Sequence, residues 1–173
     1  MMTKIREFNG LGKQTARDMV LMYCRSIKIN KAITLPGLST LFESELLNDH
    51  QGIQELHAWE RFHDVLVRTK PVLEAMGITT HHGNILHDVE AATIETDFIW
   101  LDLCGAYTQD VRWWIKYCGL RREGLLALTV CLGRQPLSRE RIERSVRLQG
   151  YRMLESKWYC DTTPMLLIIA RRK

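Results

Sequence analysis

The sequence predicts an α/β sandwich in which a mostly parallel β-sheet lies between two layers of helices and ends in an antiparallel hairpin. Strand patterns and amphipathic helical patterns alternate along the chain, which requires parallel strands joined by right-handed crossovers. Two strand patterns, residues 98–101 and 124–132, are apolar almost throughout, as is typical of strands buried on both faces. The last two strand patterns are separated only by the short link 161–164, which predicts the hairpin.

The predicted order is one helix, five strand–helix alternations and a closing pair of strands. Periodicity predicts the opening helix at residues 15–29. The strands are predicted at residues 31–35, 53–59, 78–82, 98–101, 124–132, 151–159 and 165–170. The helices that follow strands are predicted at residues 41–47, 61–76, 109–120 and 138–148.

Local signals mark the boundaries of two of these helices. Thr40 and Glu43 have the spacing of a capping box, in which two side chains bond free N–H groups at the start of a helix. Pro71 is expected to kink or split the helix at 61–76, because proline lacks the N–H that a helix interior uses. Gly77 then predicts the end of that helix.

Length and composition limit the classes of protein to consider. Of 173 residues, 46% are hydrophobic and 25% are charged, which excludes a disordered tail or a disulfide-stapled miniprotein. We expect one domain over residues 1–173, with an N-terminal helical segment 1–30 and a core 31–173. Five cysteines without a C-x-x-C pair favour a reducing compartment, the cytoplasm. We expect neither a signal peptide nor a membrane span, because no apolar run has the required length.

Positive charge is concentrated near the end of the chain. Lys plus Arg is 24 and Asp plus Glu is 20, so the formal net charge is +4. The last predicted helix carries four arginines: Arg139, Arg141, Arg144 and Arg147. This row forms either a solvated helix face or a nucleic-acid contact, and the sequence leaves both interpretations open.

The residues that follow each strand are the candidates for a site, because open parallel sheets bind ligands beyond the carboxyl ends of their strands. Leu35, Pro36 and Gly37 follow the first strand and precede a helix, which favours a carboxylate or a phosphate there. Glu60 comes 23 residues after Gly37, close to the offset of acids that bind ribose hydroxyls. The alternative for Glu60 is a surface acid that pairs with Arg61 or caps the next helix.

Polar groups also follow the third and fourth strands. Asn84 can hydrogen-bond an adenine amino group. His81 and His82 are adjacent on a strand and should point to opposite faces, which disfavours a shared metal ion. Asp102 can orient a reactive group or an amine. Cys104 is either a nucleophile or, preferably, a small buried side chain.

This layout resembles that of class I S-adenosylmethionine-dependent methyltransferases, a Rossmann-like three-layer sandwich with a terminal hairpin. The resemblance covers residues 31–173 as a single methyltransferase-like domain, with the helix at 15–29 in front, and implies S-adenosylmethionine as the cofactor. The positions that match cofactor-binding positions of the family are Leu35, Pro36, Gly37, Glu60, Arg61, Asn84, Asp102, Leu103 and Cys104. The resemblance also implies Asp102 and Tyr107 as catalytic residues.

Two classes of function stay open. The first is a methyltransferase without a metal, for which the arginine row favours a nucleic acid as acceptor. The second is a catalytically inactive methyltransferase-like module that binds a protein or nucleic-acid partner. Gly37 stands alone where the family has two or three glycines, which favours the second class. Glu60 favours the first, because a scaffold has no need of an acid there.

Overall fold

The computed structural model contains seven strands and six helices within the residues that it describes. It describes residues 2–36, 40–103, 105–134, 137–160 and 163–173, with side chains from residue 12 on apart from those of residues 134 and 160. The strands are β1 Lys31–Thr34, β2 Glu55–Glu60, β3 Thr79–His82, β4 Thr96–Asp102, β5 Leu120–Cys131, β6 Tyr151–Cys160 and β7 Pro164–Arg172. The helices are α1 Met2–Cys24, α2 Leu41–Asp49, α3 His63–Ala75, α4 Val89–Thr93, α5 Gln109–Tyr117 and α6 Arg139–Leu148.

All seven strands form one sheet in the order β3-β2-β1-β4-β5-β7-β6. Strands β1 to β5 are parallel, whereas β7 runs antiparallel to both β5 and β6. The predicted mostly parallel sheet with a closing hairpin is therefore confirmed. From β1 the chain extends the sheet to one side through β2 and β3, and from β4 it extends to the other side.

An apolar layer covers each face of the sheet, and β4 shows why. Phe98 and Trp100 pack with α1, α2 and α3, whereas Ile99 and Leu101 pack with α4, α5 and α6. All four side chains are buried, because successive side chains of a central strand alternate between two covered faces. The predicted three-layer sandwich is thus confirmed.

Helix α1 is longer than its pattern indicates. It begins at Met2, so the predicted start at residue 15 is wrong. Gly10 and Gly12 weaken the helix propensity of this segment and hide it from a pattern-based start. The sequence pattern also does not predict α4, whose five residues are too few to show a period. None of the helices in the described ranges, α1 included, combines the length and the apolar character that crossing a membrane requires.

Pro71 does not split α3, which runs through it, so of the predicted kink or split the split is wrong. Pro71 and Val67, whose carbonyl faces the missing N–H, are both exposed, and water can satisfy that carbonyl. Gly77 ends the helix as predicted. Its φ is +78°, and the N–H of Ile78 donates to the carbonyl of Leu73 at 3.0 Å.

Gly119, between α5 and β5, has no room for a side chain. A Cβ there would lie 2.3 Å from the carbonyl oxygen of Ile94. We expect Gly119→Ala to lower the free energy of unfolding by about 2 kcal/mol, because the backbone must move to relieve the overlap. Gly52→Ala is the matched control, since nothing lies within 4 Å of its added Cβ. Urea unfolding of both variants checks this prediction, and equal midpoints would contradict it.

Candidate functional site

Five parallel strands bring their carboxyl ends to one edge of the sheet. The chain turns to opposite sides from β1 and β4, so the ends of these two strands flank the switch point where such sheets bind ligands. Thr34 ends β1, Asp102 ends β4, and Glu60 ends β2, the other neighbour of β1. The structure therefore brings two predicted residues, Asp102 and Glu60, to the same edge.

Asp102 is held from two sides. The Thr129 hydroxyl donates a hydrogen bond to its Oδ1. The Lys13 ammonium of α1 lies 3.6 Å from its Oδ2. The Lys13 side chain is 41% exposed and that of Asp102 only 16%, so the cation is accessible and the pair is weak.

Glu43 is a buried acid close to Asp102. The capping box predicted for Thr40 and Glu43 is wrong, because α2 has no side-chain hydrogen bond at its N-cap and Glu43 is only 1% exposed. Glu43 Oε2 and the Thr34 hydroxyl are both buried, and neither meets hydrogen-bond geometry with any partner in the described part of the chain.

The pKa of Glu43 is raised from 4.5 to about 7. Burial is the main cause, because it penalises the charged carboxylate, and the nearby charge of Asp102 adds to it. The backbone N–H of Glu43, the nearby Thr34 hydroxyl and the Arg17 guanidinium act in the opposite direction. Glu43 therefore changes its charge near neutral pH.

Four charged groups thus meet near the switch point, and we call Lys13, Arg17, Glu43 and Asp102 the charged cluster. Lys13 and Arg17 are one turn apart in α1, so they lie on the same helix face. Lys13 pairs with Asp102, and Arg17 acts on Glu43. Sequence reasoning missed Lys13 and Arg17, because their pairing depends on how α1 packs, and Glu43, because a capping box explains its position equally well.

A backbone hydrogen bond connects the end of β2, where Glu60 lies, to the loop after β3, which contains Asn84. Glu60 is 7% exposed, and its Oε1 accepts the N–H of Phe62 at 2.7 Å. The N–H of Gly83 donates to the carbonyl of Glu60 at 3.0 Å, which links the loop after β3 to the end of β2. Asn84 Oδ1 accepts the N–H of Leu86 at 3.2 Å, and this bond leaves the Asn84 amide nitrogen as a donor.

Phe62 is an exposed aromatic ring near Glu60 that the sequence analysis missed. It is 54% exposed, and the Arg61 guanidinium carbon lies 4.9 Å from the centre of its ring. The sequence feature that could have identified Phe62 is its position, because it is an apolar residue among charged and polar ones, two positions after Glu60. An exposed ring offers a face on which a planar base can stack.

Three further predicted cofactor residues, Leu35, Pro36 and Leu103, lie beside the ends of β1 and β4. Leu35 and Pro36 follow β1 and are half-buried. The N–H of Leu103 donates to the carbonyl of Thr129 at 3.2 Å, which fixes the start of the loop after β4. Gly37 and Cys104 lie outside the described residues.

Tyr107 is buried in the apolar layer formed with α4, α5 and α6. It is 3% exposed, and its hydroxyl donates to Ser145 Oγ at 3.1 Å. The ring therefore fastens the loop after β4 to α6.

The two adjacent histidines of β3 point in opposite directions, as predicted. His81 stacks on Trp59 with ring centres 3.8 Å apart, whereas His82 lies against His63. Burial and the neighbouring His57 lower the pKa of His81. His81 is therefore part of an aromatic stack, and its lowered pKa favours the neutral form of the ring.

The four arginines of α6 fall into two pairs. Glu143 engages Arg139 at 2.7 Å and Arg147 at 3.6 Å. Arg141 and Arg144 are exposed, and no ion pair joins either of them to another described residue. Their charges are therefore available to a partner.

Several solved structures that are similar to this chain are methyltransferases. An S-adenosylmethionine-dependent methyltransferase from Mesorhizobium loti is 13% identical, with a TM-score of 0.68 over 91% of this chain and 98% of its own. A Burkholderia thailandensis 1,6-didemethyltoxoflavin-N1-methyltransferase with bound S-adenosylhomocysteine is 12% identical, with a TM-score of 0.66 over 91% and 76%. A Haloferax volcanii complex of the Trm112 methyltransferase activator and a methyltransferase gives 12% identity and a TM-score of 0.64 over 82% of each chain.

No family model and no curated protein matches the sequence. The similarity to the solved structures extends over most of the chain at 13% identity or less, so it lies in the arrangement of strands and helices. This structural similarity agrees with the resemblance to class I methyltransferases that the sequence indicates. The chain has the fold of the class I S-adenosylmethionine-dependent methyltransferases.

Proposed function

We propose that this protein is an S-adenosylmethionine-dependent methyltransferase whose cofactor binds at the carboxyl ends of β1, β2 and β4. The observation that carries the proposal is the charged cluster beside the switch point. It places two acids and two cations together, beside two buried oxygens, Glu43 Oε2 and Thr34 Oγ1, that form no well-aligned hydrogen bond in the described part of the chain. Such an arrangement is costly for a scaffold and useful for a polar ligand.

The charged cluster fits the amino-acid end of the cofactor, which is a zwitterion. Its ammonium needs carboxylate partners, which Glu43 and Asp102 supply. Its carboxylate needs cationic partners, which Lys13 and Arg17 supply. In this proposal the ligand exchanges ion pairs with the cluster, so little charge is left uncompensated.

The nucleoside end of the cofactor fits the residues beyond β2 and β3. Glu60 would accept hydrogen bonds from the ribose hydroxyls, since its second oxygen is not needed for the bond to Phe62. Asn84 and the exposed face of Phe62 would hold the adenine, by a hydrogen bond and by stacking. Leu35, Pro36, Gly37, Arg61, Leu103 and Cys104 remain predicted contacts.

The cofactor, when bound, supplies an activated methyl group for direct transfer to a nucleophile. The chain needs to position the acceptor more than to supply acid–base chemistry. Asp102 would orient the acceptor or take its proton as the new bond to methyl forms. The bond of Tyr107 to Ser145 favours a positioning role for Tyr107 over direct contact with the acceptor.

A nucleic acid is the proposed class of methyl acceptor, and a protein is a second proposed class of partner. Arg141 and Arg144, which have no ion pair among the described residues, support a nucleic acid, whereas Arg139 and Arg147 are compensated by Glu143. The Haloferax volcanii complex is a precedent for a protein partner. A single domain over residues 1–173 in the cytoplasm remains our expectation, and the free thiols of Cys24, Cys118 and Cys131 are consistent with a reducing compartment.

Calorimetric titration with S-adenosylmethionine and with S-adenosylhomocysteine tests the proposal. We expect saturable micromolar binding, about −8 kcal/mol. Absence of binding at millimolar ligand would contradict it and favour the inactive methyltransferase-like module.

A further inference from the structure

A groove of about 370 Å³ lies between α5 and α6. Its walls come from one face of each helix: Gln109, Arg112, Trp113, Lys116 and Tyr117 of α5, with Ser145 and Leu148 of α6 and Gln149 directly after α6. Ser145 accepts the hydrogen bond from Tyr107, so the inner wall is fixed to the loop after β4. The α6 wall of the groove is therefore anchored to the loop that leads into α5.

Large apolar side chains in the groove stay open to solvent. Trp113 is 45% exposed, Tyr117 54% and Leu148 77%. The rings of Trp113 and Tyr117 lie 5.3 Å apart on successive turns of α5. Leaving this much aromatic surface in water is unfavourable, so it points to a ligand with flat apolar faces.

The lining of the groove carries positive charge and no acid. A cation precedes each aromatic residue, Arg112 before Trp113 and Lys116 before Tyr117. Lys116 Nζ lies 5.0 Å from the centre of the Tyr117 ring. Stacking faces alternating with cations are the features that bind bases and phosphates of a single strand.

The two uncompensated arginines of α6 extend this surface. Arg141 is four residues before Ser145 and Arg144 is four residues before Leu148, so both lie on the groove side of the helix. Arg139 and Arg147 pair with Glu143, on the side toward Ser156 of β6. The side of α6 that faces the groove therefore carries uncompensated positive charge, whereas Glu143 compensates the arginines on the other side.

We propose that the groove between α5 and α6 binds single-stranded nucleic acid, with bases stacked on Trp113 and Tyr117 and phosphates on Arg112, Lys116, Arg141 and Arg144. An acidic peptide would use the cations but would leave the two rings uncovered, so the combination favours a polynucleotide. This inference deepens the proposed function by naming a partner class and its site. Nucleic-acid binding in the groove can be tested without the cofactor. Failure of nucleic-acid binding therefore does not imply failure of cofactor binding, and the reverse also holds.

Fluorescence anisotropy with a labelled single-stranded oligonucleotide of about 12 nucleotides tests the groove. We expect Trp113→Ala to weaken binding about 10-fold, because base–aromatic stacking is lost. The logarithm of the binding constant should fall with the logarithm of salt concentration with a slope of about −3, since four cations contact phosphates. Arg141→Gln combined with Arg144→Gln should reduce that slope by about 1.

Two matched variants control for general effects. Trp158→Ala removes a tryptophan of similar exposure from β6, and Arg139→Gln combined with Arg147→Gln removes the same charge from the same helix. Both controls should bind like the parent protein. Equal losses in the controls, or competition by polyglutamate as strong as by unlabelled oligonucleotide, would overturn the proposal. A dimer that Trp113→Ala dissociates in sedimentation, without oligonucleotide binding by the parent, would assign the groove to a second copy instead.

Discussion

Glu60→Ala is expected to weaken S-adenosylhomocysteine binding by about 10- to 100-fold while the protein remains folded. A hydrogen bond to a charged group contributes about 1.5–3 kcal/mol, which corresponds to this loss. Glu60 is buried at the end of β2, so bulk water does not replace it as a partner of the ribose hydroxyls. Calorimetric titration of parent and variant measures the change.

The same variant loses the hydrogen bond between Glu60 and the N–H of Phe62. We expect this to lower the free energy of unfolding by about 1 kcal/mol. Glu60→Gln is the control, because its amide oxygen can still accept from Phe62 while the negative charge is removed. Its affinity should lie between those of the parent and Glu60→Ala. If Glu60→Ala is folded and binds as tightly as the parent, the assignment of Glu60 to the ribose is wrong.

The central sheet could be predicted because its signals are local. The apolar run at 98–101 lies within β4, and the run at 124–132 lies in β5 as far as Cys131, where the side chains are buried. The short link before Pro164 predicts the hairpin of β6 and β7. The location of Glu60 could be predicted for the same reason, since its position after a strand pattern fixes the edge of the sheet at which it lies.

The charged cluster could not be predicted in this way. Lys13 reaches Asp102 only because α1 packs across the sheet, and no local pattern encodes a contact between residues so far apart in sequence. At Glu43 a local rule gave the wrong answer, because tertiary burial outweighed the capping preference. Violations of local rules concentrate at functional sites, so the failure at Glu43 itself favours a function there.

Glu43→Gln is expected to stabilise the protein at pH 8 by up to about 3 kcal/mol. The pKa of Glu43 is raised from 4.5 to about 7, and each unit corresponds to about 1.4 kcal/mol. Below pH 4.5 the carboxyl is protonated in both the folded and the unfolded state. Between pH 4.5 and about 7 the Glu43 carboxyl ionises only in the unfolded state, so its contribution to the free energy of unfolding falls as the pH rises. Above about 7 the folded protein carries the full cost of a buried charge.

Urea unfolding at pH 5 and at pH 8 measures this difference. Glutamine is neutral at both values, so the gain from Glu43→Gln should be small at pH 5 and large at pH 8. Glu90→Gln removes an exposed carboxylate and should change stability by no more than about 0.5 kcal/mol at either pH. A gain that is equal at both pH values would show that the charge of Glu43 is not its cause.

The same substitution should weaken cofactor binding, because a neutral amide is a poorer partner for the ammonium. We expect a loss of about 10-fold for Glu43→Gln at pH 8, and weaker binding by the parent as the pH falls below 7, at most about 10-fold per pH unit. Higher stability with lower affinity is the signature of an acid retained for binding at a cost in stability. A variant that is less stable at pH 8 and binds S-adenosylhomocysteine like the parent would instead make Glu43 a structural acid and contradict both expectations.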